Sequence, residues 1–195
     1  FGEVLKKLNY IQTLHAKLII DDKKAEVWSK RPNMLRLDYN NGTCEISNGQ
    51  IMWVVDEKNN KAIKKSSWYF QDAQAQGLDV LDRFIQLQLH ENFSGFMSEG
   101  PVDQVTSDGK LFDLYRMHTS SEGRFFDFQA MVDAETHLLH SLRVELSDPQ
   151  KQKQGFEFTI LEYDQPIPIE MFIFEPSEGI EVTVEESAKP TPTAP

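Results

Sequence analysis

An α+β domain is the fold class this sequence predicts: ten to twelve short strands in a long antiparallel run, with two or three helices segregated from them. Three observations predict it. Apolar and polar residues alternate with a period of two over most of the chain. Asn-Gly and related turn pairs recur between the alternating runs. Two segments, 1–11 and 77–97, instead place their apolar residues at a helical period.

At the start, Phe1, Val4, Leu5, Leu8 and Ile11 stand at helical spacing and read as a short amphipathic helix. A strand over 15–20 follows, then the polar turn 21–24. In 25–30, Val27 and Ser29 take one side, and Glu26, Trp28 and Lys30 the other. In 34–39, Leu35, Leu37 and Tyr39 oppose Met34, Arg36 and Asp38. Asn40-Asn41-Gly42, Asn48-Gly49 and Asn59-Asn60 are turns, with strands over 44–46, 51–55 and 62–63 between and after them. Strands joined this tightly are antiparallel neighbours, because a parallel pair needs a long crossover.

Residues 77–97 read as a second helix and its apolar continuation, with Leu78, Leu81, Phe84, Ile85 and Leu89 on one side and Phe93 after them. Strand patterns return at 102–105, 110–117, 124–132, 138–146 and 155–163. A compact stretch, 166–174, precedes a last strand at 180–184. The end, SAKPTPTAP over 187–195, has three prolines and no large apolar group. It reads as a disordered tail, which leaves one domain over 1–186.

A chain of 195 residues fits one domain and can bury roughly 70% of the surface it exposes when unfolded. The net charge of −11 argues against nucleic acid as a partner and against an anionic membrane surface. The single cysteine, Cys44, excludes an internal disulfide framework and a cysteine-based zinc site. No run of 18 apolar residues is present. The chain begins at Phe1 rather than Met, so the lack of a leader carries no information.

Chemistry-bearing motifs are scarce. The five histidines, His15, His90, His118, His137 and His140, do not fall into a ligand pattern, since His137 and His140 lie on a strand or turn rather than a helix. There is no phosphate-binding glycine loop and no nucleophile elbow. Asp133, Glu135, Glu185 and Glu186 read as solvated charge, and Cys44 as a core-facing thiol. The residues point to no enzyme, no metal and no cofactor. The apolar residues say more. Leu35 with Leu37, Ile51 with Trp53 and Val55, Phe126 with Phe128, and Phe156 with Phe158 and Ile160 each share a face. They are either ordinary core or the wall of a cavity, and periodicity does not separate the two.

Residues 27–56 carry a family resemblance. Trp28-Ser29-Lys30-Arg31-Pro32-Asn33 closes one strand, Ser47-Asn48-Gly49-Gln50 forms a later turn, and Trp53 stands on the strand after it. Near the far end, Met171-Phe172-Ile173-Phe174-Glu175-Pro176-Ser177-Glu178-Gly179 is similar to a closing Phe-x-Phe-x-Pro-Pro-x-Gly motif. In these features the chain resembles the outer-membrane lipoprotein carrier family, the LolA-like proteins, over most of 1–186. It departs from the family at Ser29, at Gln50 and at Ser177.

The resemblance implies a strongly curved antiparallel sheet, an unclosed half-barrel, with helices covering its concave face. It implies a hydrophobic cavity between sheet and helices that takes acyl chains of lipoproteins or other lipids, in the periplasm or envelope of a bacterium. The cavity residues would be Leu35, Leu37, Trp53, Val55, Phe126 and Phe128 from the sheet and Leu81, Phe84, Ile85 and Phe93 from the helices. As a residue alone, Arg31 is a surface cation beside a proline turn; the resemblance gives it the role of holding the lid helices by their backbone carbonyls. A monomer is expected. The rival reading is a sensor or interaction module of the same fold, binding an envelope protein such as an anti-sigma factor and using an outward Trp28.

Overall fold

The computed structural model describes residues 2–20, 23–66, 100–121, 124–147 and 154–185 of the 195. The helix expected at 77–97 and the tail at 187–195 lie outside the described residues.

One helix, α1 (Gly2–Leu8), opens the chain. Six strands follow as a meander: β1 (Thr13–Ile20), β2 (Lys23–Lys30), β3 (Met34–Tyr39), β4 (Thr43–Ser47), β5 (Ile51–Asp56) and β6 (Lys61–Ser66). The second half supplies β7 (Asp103–Ser107), β8 (Lys110–Ser121), β9 (Arg124–Asp133), β10 (Leu139–Ser147) and β11 (Gln154–Tyr163), and then β12 (Glu181–Glu185). All twelve join one sheet in the order β12-β6-β5-β4-β3-β2-β1-β11-β10-β9-β8-β7. The two meanders therefore meet where β1 pairs with β11.

The α+β expectation, with helices covering a concave face, is corrected here. Most of the described residues belong to one large unclosed sheet, and α1 is their only α-helix. A seven-residue helix is about 10 Å long. Twelve strands spaced about 4.8 Å apart make a sheet more than about 50 Å across. Instead of lying across it, α1 is fastened at one end. Its Val4 and Leu8, with Ile11 behind them, are buried in the main apolar cluster. Lys7 Nζ donates to the Thr136 carbonyl in the β9–β10 turn.

Local chemistry explains the turns. Ser107 pairs with Lys110 across Asp108 and Gly109, both at positive φ (50° and 75°). That is the two-residue turn whose twist matches flanking antiparallel strands, and it needs residues that tolerate left-handed backbone. Asp133 ends β9 by accepting from the amides of Glu135 (3.1 Å) and Thr136 (2.7 Å). These bonds hold its carboxyl below the usual carboxylate range. Gly155 has a different reason to be glycine. A Cβ there would sit 2.8 Å from the Val144 carbonyl oxygen on β10.

Residues directly opposite on adjacent strands share a face, so the register assigns every strand residue to one of two faces. The front face, where α1 packs, carries Leu14, Ala16 and Leu18 of β1, Ala25 and Val27 of β2, and Phe158 and Ile160 of β11. Leu142 and Val144 of β10, with Phe128 and Ala130 of β9, extend it. The back face carries a row that crosses six strands: His15, Trp28, Arg36, Ile46, Trp53 and Lys64.

Residues 164–180 strap that back face. The chain leaves β11, passes behind β1 to β5 and joins β6 from the far side, where β12 pairs with it in parallel. Seven strand steps of about 4.8 Å come to about 34 Å, a span well within reach of the segment. The contacts mark its path. Lys30 Nζ donates to the Ile167 carbonyl (2.8 Å) and Arg36 Nη1 to that of Met171 (3.3 Å). Phe174 meets Trp53 edge-on at 5.3 Å, and the Glu181 amide donates to the Asn60 carbonyl (2.9 Å). Beneath the strap lies a second, smaller core of Cys44, Ile46, Val55 and Ala62.

Candidate ligand-binding face

The residues predicted to line one cavity do not lie together. Leu35 and Leu37 are on the front face, opposite Ser29 and Val27, half-buried against the main cluster. Phe128 is on the same face but inside the cluster, 4% exposed. Phe126 holds a front-face register position on β9, opposite Leu146 and Thr119. Trp53 and Val55 are on the back. They pair with Ile46 and Cys44, which themselves pair with Arg36 and Asp38. Val55 is 2% exposed in the small core, and Trp53 is engaged by Phe174 on one side and Lys64 Nζ at 5.7 Å. Leu81, Phe84, Ile85 and Phe93 fall outside the described residues.

What does gather on the front face is a rim of half-buried apolar residues around a buried centre. Leu35, Leu37 and Tyr39 of β3 form one side, and Phe156 and Tyr163 of β11 another. Tyr39 and Phe156 were absent from the predicted cavity, although each alternates in phase with a residue that was in it or beside it. The Tyr39 hydroxyl donates to Glu45 Oε1 at 3.3 Å. Burial, reinforced by the Glu45 carboxylate, pushes its pKa up to about 12. A spectrophotometric titration should therefore show one tyrosine ionising near 12, absent in Tyr39→Phe. Because the folded pKa exceeds the unfolded value, this contribution to stability is complete below about pH 10 and fades between about 10 and 12.

Arg31 stands at the end of β2, between the helix and the sheet. Its backbone amide donates to the Gln12 carbonyl (2.9 Å), its Nε to that of Ile11 (2.6 Å) and its Nη2 to that of Leu8 (3.4 Å). The last carbonyls of a helix have no partner within it, and a cation there also answers the helix dipole. The guanidinium thus ties the end of α1 to the sheet. Asp164 fixes the next residues from the other side, its Oδ1 accepting from the amides of Gln12 (2.6 Å) and Thr13 (3.3 Å).

The remaining chemistry-bearing residues are dispersed. His15 stacks on Trp28 with centroids 5.0 Å apart, both on the back face. His140 packs on Phe112, and His118 pairs with Asp127. Among the described residues, no three of His, Cys, Asp and Glu converge as a metal-binding group. Cys44 is buried, and burial raises its thiol pKa, which keeps it protonated and unreactive.

No family model matches the chain, and no curated protein does. Similar solved structures include a LolA superfamily protein from Nitrosomonas europaea, 12% identical, with a TM-score of 0.33 and coverage of 89% of this chain and 97% of that one. Another is PNGF-II, 7% identical, also with a TM-score of 0.33; there the chain spans 90% of its own length and 31% of the other's. Likeness at this level fixes neither fold nor function.

Proposed function

We propose that this chain is a non-catalytic carrier that holds an apolar ligand, such as the acyl chain of a lipid or lipoprotein, on the front face of its sheet within a bacterial envelope. One observation carries the reading. Leu35, Leu37 and Tyr39 keep part of their surface open while their neighbours Ala16, Val27 and Phe158 are closed off. An apolar floor left partly uncovered gains roughly 25 cal/mol for each Å² that a ligand removes from water. An acyl chain gains about 0.8 kcal/mol per methylene buried. The Lys-Arg-Pro-Asn resemblance supports the same reading. Trp53 and Val55, on the other face, are no part of it.

The test is titration of delipidated protein with a fluorescent fatty acid. Leu37→Glu should weaken binding about tenfold or more, because it puts a carboxylate on the floor, and the circular dichroism spectrum should be unchanged. Trp53→Ala should lower stability and leave affinity intact. Binding that survives Leu37→Glu, or is lost to Trp53→Ala in protein that remains folded, contradicts the assignment.

A further inference from the structure

The back face of β8, β9 and β10 carries a second feature, separate from the apolar floor. The register sets Arg116, Gln129 and Arg143 in one row and His118, Asp127 and Glu145 in the next. These six, together with Phe128, line a groove of about 410 Å³. Both carboxylates are engaged within it. His118 Nδ1 lies 2.6 Å from Asp127 Oδ1, and Arg143 Nη2 lies 2.7 Å from Glu145 Oε1. The side chains of Arg116 and Gln129 make no hydrogen bond or ion pair with any described residue.

We infer that the Arg116–Gln129–Arg143 row binds a phosphate group. Adjacent strands lie about 4.8 Å apart, so the two arginines flank the amide at a backbone separation of about 10 Å. Two guanidinium side chains span that distance around one tetrahedral oxyanion. The row offers the whole Arg116 fork, the Gln129 amide and the Arg143 nitrogens that Glu145 leaves over. A carboxylate is satisfied by one such fork; a phosphate, with more acceptor oxygens, uses all three side chains. The net charge of −11 opposes anion binding by the surface at large, so saturable binding has to be local. The group can belong to a soluble phosphomonoester or to a phospholipid headgroup, which present the same oxygens.

The experiment follows backbone amide shifts of labelled protein at low salt. It titrates inorganic phosphate and glycerol phosphate in separate arms, and measures co-sedimentation with phosphatidylglycerol vesicles in a third. Saturable shifts confined to β8–β10, weakened about tenfold in Arg116→Gln, are expected. Lys23→Gln removes an exposed cation elsewhere and should change affinity by less than about twofold, which separates a site from general charge. Vesicle binding that Arg116→Gln abolishes assigns the phosphate to a headgroup; response to the soluble probes alone assigns it to a free phosphoester. Absence of saturation in every arm, or equal binding by Arg116→Gln and the parent protein, overturns the proposal.

Discussion

Phe172→Ala should cost roughly 3–5 kcal/mol of folding stability, the range for emptying a buried aromatic site. Phe172 is 1% exposed, and the 3₁₀ turn that holds it, Ile169–Phe172, packs on β3. The strap has few other deep anchors. Ile169 and Ile173 on either side are about half exposed, and the hold on Arg36 is one hydrogen bond to a carbonyl. The urea midpoint should fall without a change in slope. Trp53 emission should also shift to the red in the native baseline, because Phe174, two residues on, covers that indole. A midpoint unchanged within about 1 kcal/mol would mean that the strap does not hold the back face closed.

Arg31→Met should cost at least about 2–3 kcal/mol, because it leaves the Leu8 and Ile11 carbonyls without their charged donor. Methionine keeps most of the stem's packing, so the loss reports on the hydrogen bonds rather than on volume. The effect should be local as well as global. Amide exchange in residues 2–12 should accelerate more than in β4 and β5, which lie two and three strands away from β2 in the sheet. Arg31→Lys should recover part of the loss, since one ammonium reaches fewer carbonyls than a fork. Uniform acceleration across the sheet would show that Arg31 stabilises the whole domain and does not specifically fasten α1.

Much of the sheet was legible in the sequence because its first half is local. The turns at Gly42, Gly49 and Asn60 state where strands end, and alternation within each strand states which residues share a side. What alternation does not state is how the phase passes from one strand to the next. That depends on loop length. The three residues between Tyr39 and Thr43 pair Asp38 with Cys44, so residues of equal parity face the same way. The four between Ser47 and Met52, 48–51, pair Ser47 with Met52 and reverse the parity. Followed through both loops, Leu37 shares a face with Val54 and not with Trp53 or Val55. The signal that separates the two sides of the predicted cavity was therefore present in the turns.

The strap and β12 were not legible in the same way. A strand over 180–184 was expected from its pattern, but its parallel pairing with β6 joins residues more than a hundred positions apart, and no local turn announces it. The in-register pairs Lys61–Glu181 (3.7 Å) and Lys65–Glu185 (3.3 Å) fit that pairing once it is known. They are exposed ion pairs, worth too little to have chosen it. The covering role given to the 1–11 helix was over-read for a related reason. The amphipathic pattern at 1–11 is real and forms α1, but a short stripe buries only its own few residues and cannot make a layer. Arg31 is the reverse case. Beside Pro32 it has the sequence profile of a surface cation, and only the position of α1 makes it a cap.

Photolabelling with a diazirine fatty acid, followed by sequencing of the modified peptides, tests the central claim most directly. The front-face floor predicts label on Met34–Tyr39, at Leu35, Leu37 or Tyr39, and on β11 at Phe156, with Trp53 and residues 164–180 unmodified. Label confined to the strap and the back face, or no label above that of an unrelated protein, would contradict it.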